Sequence, residues 1–120
     1  MNCFTNKARK YGFDVDKALE RMAGDEELYE SCFYIVMEDE CFELLGDELQ
    51  KGDVDNAIKS AHTLKGIVSN TGITPLLSLI LEILNQLRSG DEISSLIPKY
   101  NHLMKRRDNL YKEFKQLCDN

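Results

Sequence analysis

Tryptophan is missing from the 120 residues, and proline (two), histidine (two) and glycine (seven) are scarce. So little Gly and Pro excludes collagen-like and low-complexity chains. Apolar runs stop after a few residues, far short of the roughly 20 that a membrane-spanning helix needs. Lys7, Arg9 and Lys10 lead into Tyr11-Gly12-Phe13-Asp14 and not into a secretory apolar stretch, so a cytoplasmic protein without a membrane partner is expected. The four cysteines, Cys3, Cys32, Cys41 and Cys118, form no C-x-x-C pair and have no histidine at zinc-finger spacing, which argues against a redox motif or a metal knuckle. Cys32 and Cys41 fall in an apolar helical pattern and read as small buried hydrophobes. No glycine-rich nucleotide loop occurs, so no kinase or hydrolase activity of its own is expected.

What is present is the material of one compact domain, with 42% apolar and 30% charged residues. A chain this long buries roughly two-thirds of its unfolded surface, enough for a core without staples. The net charge of -6 is unevenly placed. Residues 14–55 hold 15 acids and 3 bases, whereas residues 99–115 hold 6 bases and 2 acids. An acidic balance argues against nucleic-acid binding, and Lys105-Arg106-Arg107 reads as a basic solvated face.

Periodicity predicts helix almost throughout and no convincing strand. Residues 1–13 are expected to be a mobile start, followed by a domain over 14–118. Asp14 caps a short helix to about Met22, ended at Ala23-Gly24. Asp25 opens a long helix, with Glu26 and Glu27 in its first turn, that closes at Lys51-Gly52. Its inward stripe reads Leu28, Cys32, Ile35, Phe42, Leu45 and Leu49. Asp53 caps the next helix, with stripe Val54, Ala57, Ala61, Leu64 and Val68, which stops at Thr71-Gly72. Thr74-Pro75, a capping hydroxyl followed by proline at the first helical position, starts a further helix, apolar on more than one side and ended by Ser89-Gly90. A last helix from near Ser95 repeats Leu96, Tyr100, Leu103, Leu110, Phe114 and Leu117, with Arg107 at the skipped position. Short connections between long helices predict an all-α, antiparallel, up-and-down four-helix bundle with a short additional N-terminal helix.

One segment rises above a generic bundle: Ala61-His62-Thr63-Leu64-Lys65-Gly66, with Asn70 and Gly72 beyond it. At about 100° per residue, His62 falls roughly 130° from the core stripe, on the solvent side with Ile58, Lys65, Gly66 and Ser69. An exposed imidazole has an ordinary pKa of about 6.5, which leaves a neutral nucleophilic nitrogen at neutral pH. Lys65, one turn on, can neutralise a phosphoryl group placed on that ring. Gly66 costs about 1 kcal/mol relative to alanine in mid-helix, so it admits either a partner's backbone or a neighbouring helix. His102 has no comparable neighbours. A ferritin-type metal site needs Glu-x-x-His pairs, yet Lys59 and Lys99 stand three before His62 and His102.

These residues resemble the histidine phosphotransfer (HPt) family of two-component phosphorelays. That family centres on a helix reading A-H-x-L-K-G, with a small or polar residue eight positions after the histidine and a glycine ten after. Ala61, His62, Leu64, Lys65, Gly66, Asn70 and Gly72 fit in turn. Gly24-Asp25-Glu26-Glu27-Leu28-Tyr29 and Gly52-Asp53 resemble the family's usual helix opening and junction. Leu84 departs from it, standing where many members place Gln or Glu beneath the histidine. The resemblance implies a phosphorelay intermediate that accepts a phosphoryl group from a receiver-domain aspartate on His62 and passes it to another. It implies receiver domains and a hybrid sensor kinase as partners, magnesium on the receiver, no cofactor or metal on this chain, and a monomer. A non-catalytic adaptor that docks receivers is the alternative. Ile58 is the clearest docking residue beside His62, Gly66 and Ser69. Phe33, Val36 and Met37, off the expected stripe, either extend that patch or serve the core.

Overall fold

The computed structural model describes residues 2–117, which contain seven α-helices and, among the described residues, no strand. They are α1 (Cys3–Lys10), α2 (Val15–Arg21), α3 (Glu26–Met37), α4 (Cys41–Lys51), α5 (Val54–Asn70), α6 (Thr74–Arg88) and α7 (Ile97–Leu117), with a 3-10 turn at Ile93–Ser95 before α7. The all-helical expectation holds. Two of the three expected Asp caps form: Asp25 accepts the Leu28 N–H at 3.0 Å and Asp53 that of Asn56 at 3.3 Å, whereas Asp14 stands at the N-cap of α2 without a side-chain capping bond.

The expected mobile start is instead α1. The Asn2 side chain accepts the Thr5 N–H at 2.8 Å, and Phe4, Thr5 and Ala8 are buried. Phe4 meets Tyr29, Phe33 and Phe114 with ring centroids 5.7, 5.1 and 5.1 Å apart. The apolar stripe of α1 is only Phe4, Ala8 and Tyr11, too short to stand out among Lys7, Arg9 and Lys10.

A second departure is larger. The long helix expected from Asp25 to Lys51 is interrupted at Glu38-Asp39-Glu40. The Asp39 carboxylate accepts the Cys41 N–H at 2.8 Å, a local bond that competes with helix continuation. The interruption resets the helical phase, so α3 turns Tyr29, Phe33, Val36 and Met37 into the core. Leu28 and Ile35 face solvent, 46% and 65% exposed, and Cys32 is half-buried. The stripe of α4, Phe42, Leu45 and Leu49, is buried as expected.

Helix α5 packs between α4 and α6, and α7 packs against α6, α4, α3 and α1. Two close approaches set the geometry. Gly46 on α4 admits the phenol of Tyr100, whose hydroxyl donates to the Phe42 carbonyl at 2.8 Å; a Cβ on Gly46 would collide with that ring. Gly72 ends α5 at φ +70° with the Asp14 carbonyl against its Cα, while the Asp14 N–H donates to the Gly72 carbonyl at 2.8 Å. No L side chain fits there. Thr74 is not the cap of α6 but its first helical residue, and its hydroxyl donates to the Gly12 carbonyl at 2.6 Å. The turn before α2 is thereby latched to the turn after α5. Among the described residues, no helix is long and apolar enough to cross a membrane.

Candidate functional site on α5

The site lies on α5, an unbroken helix of 17 residues. Ala57, Ala61, Leu64 and Val68 are fully buried, as their spacing predicts; Val54, at the first turn, is exposed instead. The Ser60 hydroxyl donates to Glu48 of α4 at 2.5 Å, which fixes the flank of α5 that faces α4. Rotation along the helix then carries Ile58 and Lys65 to the α6 flank and leaves His62 and Gly66 pointing outward.

His62, Gly66 and Ser69 are exposed, and Ile58 and Lys65 are half-buried. Ile58 packs against the edge of the core. A Cβ on Gly66 would meet nothing within 4 Å, so the glycine makes room on the open side of the helix and not between helices. Among the described residues, no hydrogen bond or ion pair engages the side chains of His62 or Lys65. The C-terminal end of α5 is held firmly by comparison: Arg21 donates to the Asn70 carbonyl at 3.1 Å, and the buried Tyr29 hydroxyl donates to the Thr71 carbonyl at 3.0 Å. At the other end, two hydrogen bonds from Asn56 hold the Asp53 carboxyl below its ordinary range, with Lys51 and Lys59 adding to the effect.

The structure does not bring every expected residue to this surface. Phe33, Val36 and Met37 are 0%, 7% and 2% exposed and belong to the core, because the break after Met37 shifts the phase of α3 by about one residue. The exposed large apolar side chains among the described residues are instead Leu28 and Ile35 of α3, Leu44 of α4 and Val54 of α5. The signal for this was the acidic triplet Glu38-Asp39-Glu40, which interrupts the apolar run. Leu84 is buried, in keeping with a residue that supplies no polar contact.

Elsewhere, His102 is exposed on α7. Arg107 is no solvated base: it lies over the Phe42 ring at 5.1 Å and pairs with Glu43 and Asp108, each at 2.9 Å. Cys32 and Cys41 are free and half-buried, not buried as expected. Burial, with Asp39 beside it, pushes the Cys41 thiol up, away from the nucleophilic thiolate. Among the described residues, no group of three or more His, Cys, Asp or Glu could hold a metal ion.

The chemistry available on α5 is therefore that of one accessible imidazole with an unpaired ammonium a turn away and open space beside both. Comparison with known proteins adds no relative to this picture: no family model matches the chain, and no curated protein or solved structure matches it significantly.

Proposed function

We propose that this chain is a histidine phosphotransfer domain in which His62 carries the phosphoryl group between receiver domains. In this reading α4 to α7 are the antiparallel four-helix bundle of that family, and α1 to α3 are additions that close one end. The observation that carries the proposal is the outward face of α5, where an exposed His62 stands with Lys65 at i+3 and a Cβ-free Gly66 at i+4. The unprotonated ring nitrogen attacks the phosphorus of a receiver aspartyl phosphate. The N–P bond forms as the P–O bond breaks, and the receiver carboxylate leaves. Lys65 offsets the charge that arrives on the ring, and its flexible stem suits a group that must depart again. Gly66 lets the receiver backbone approach, and the receiver brings the magnesium. Docking involves Ile58 and Ser69 beside His62. The reading places the protein in the cytoplasm, as a monomer fed by a hybrid sensor kinase.

The test is phosphoryl transfer from radiolabelled receivers to the purified chain and to His62→Gln. The wild type is expected to take up acid-labile, alkali-stable label. His62→Gln should keep its melting temperature, since the ring makes no contact that folding needs, and take up none. Label retained in the variant overturns the assignment, and receiver binding without label in the wild type favours an adaptor.

A further inference from the structure

His62 is bracketed on its own helix by two cations. Residues at i-3 and i+3 lie about 4.5 Å below and above along the axis, rotated by roughly 60° in opposite senses. On unbroken α5 these are Lys59 and Lys65. Lys59 is exposed and Lys65 half-buried, and neither ammonium lies within ion-pair distance of a carboxylate among the described residues. Neither ammonium is held by a carboxylate, so both can turn toward a group carried by His62. The acids on the adjoining helices are turned elsewhere: Glu48 of α4 accepts from Ser60, and Glu82 of α6 faces Lys99 at 3.8 Å. Asp53 is bonded to Asn56 at the cap and feels the charge of Lys59 without pairing with it within 4 Å. Asp55 stands four before Lys59, the favourable order for a helical pair, and still makes no contact within 4 Å.

We propose that Lys59 is a second phosphate-contacting residue, so that the two ammoniums clamp the phosphoryl oxygens of phosphorylated His62 from opposite turns of α5. This rests on the reading of His62 as the phosphorylated side chain. A phosphoryl group brings close to two negative charges at neutral pH, and Lys65 alone offsets one of them. Lys59 offsets the other, and the clamp favours the phosphorylated state of the protein over the free one.

Phosphoramidate tests the clamp without any receiver. Its P–N bond breaks as the imidazole N–P bond forms, and ammonia leaves. Occupancy of His62 is read by 31P NMR at fixed phosphoramidate and ammonia in the wild type, Lys59→Gln, Lys59→Arg and Lys65→Gln. In about 20 mM salt, Lys59→Gln should lower the ratio of phosphorylated to free His62 by about three- to tenfold, as Lys65→Gln should. Lys59→Arg should restore it, and the deficit should shrink toward unity near about 1 M salt, where screening removes the field but not a structural defect. A Lys59→Gln ratio equal to wild type at low salt, or a deficit that neither salt nor arginine alters, overturns the clamp. A wild type that acquires no phosphate on His62 instead overturns the phosphotransfer reading on which the clamp rests.

Discussion

The core of this protein changes character along its length. Around α1, α3 and the far end of α7 it is aromatic: Phe4, Phe13, Phe33 and Phe114 sit with ring centroids 5.0 to 6.1 Å apart, and Tyr29 joins through Phe4. Around α5 it is aliphatic and small, with Ala57, Ala61, Leu64 and Val68 among Leu45, Leu49, Ile80 and Ile83. Tyrosine hydroxyls also stitch the aromatic end, as Tyr11 to Glu113, Tyr111 to Glu38 and Tyr29 to the Thr71 carbonyl. Short, interrupted helices need such stitching, because an isolated one- or two-turn helix has little stability of its own. The long α5 needs none on its outer face. The residues that fix the fold and those exposed on the outer face of α5 are therefore nearly disjoint, and His62 lies on the exposed side, away from the core.

That contrast can be broken most severely at the aromatic end. Phe33→Ala removes a fully buried ring that contacts four others, and should cost about 3 to 5 kcal/mol in denaturant unfolding. Per folded molecule, phosphate uptake at His62 should be unchanged. A smaller loss than about 2 kcal/mol would mean that the aromatic cluster is not what closes that end.

The two mid-helix glycines sharpen the comparison. Gly46→Ala drives a methyl into the Tyr100 phenol and should destabilise by about 1 to 3 kcal/mol. Gly66→Ala meets open space and should stabilise by up to about 1 kcal/mol. Gly66→Gln should keep the firmer fold while weakening receiver binding and transfer. Thermal melts with the same sign at both positions would contradict the packing described for one of them, and a stabilised Gly66→Gln that transfers normally would remove the docking role.

The smallest effect concerns Tyr29. Burial raises its phenol above the ordinary value near 10, so the protonated form is the one the fold favours. Its contribution is intact below about pH 10, the unfolded value, and is lost as pH rises from there toward the folded value. Tyr29→Phe should cost about 1 kcal/mol at neutral pH through the bond to Thr71 and flatten part of the alkaline fall in stability. Urea titrations at pH 7 and pH 11 check both. An unchanged alkaline slope would place the loss at Tyr11, Tyr100 or Tyr111, whose phenols are also raised.

How much of this was legible in the sequence differs between the same two regions. On α5 the spacing of Ala57, Ala61, Leu64 and Val68 sets one phase for seventeen residues, so the exposure of His62, Gly66 and Ser69 follows from rotation alone. At the aromatic end the phase must be known separately for each short helix. The apolar run Cys32 to Met37 supports two registers, and the break at Glu38-Asp39-Glu40, where the Cys41 N–H donates to Asp39, accompanies the one that buries Phe33 and exposes Ile35. Helix α1 was hidden for another reason: its stability is tertiary, through Phe4, and leaves almost no periodic trace. Gly46 gave no sign in the sequence that a phenol from α7 crosses it. The open side of Gly66 was one of two readings, and the empty space around it selects between them.

The proposed function separates the two histidines, with His62 as phosphate acceptor and His102 as a surface residue. Long-range 1H–15N NMR of the imidazoles, recorded while the chain is mixed with a phosphorylated receiver, measures both in one sample. The account predicts that a ring nitrogen of His62 shifts and shows coupling to phosphorus while the receiver loses its aspartyl phosphate, and that His102 does not move. Coupling at His102, or a receiver that keeps or hydrolyses its phosphate while His62 stays unshifted, would contradict it.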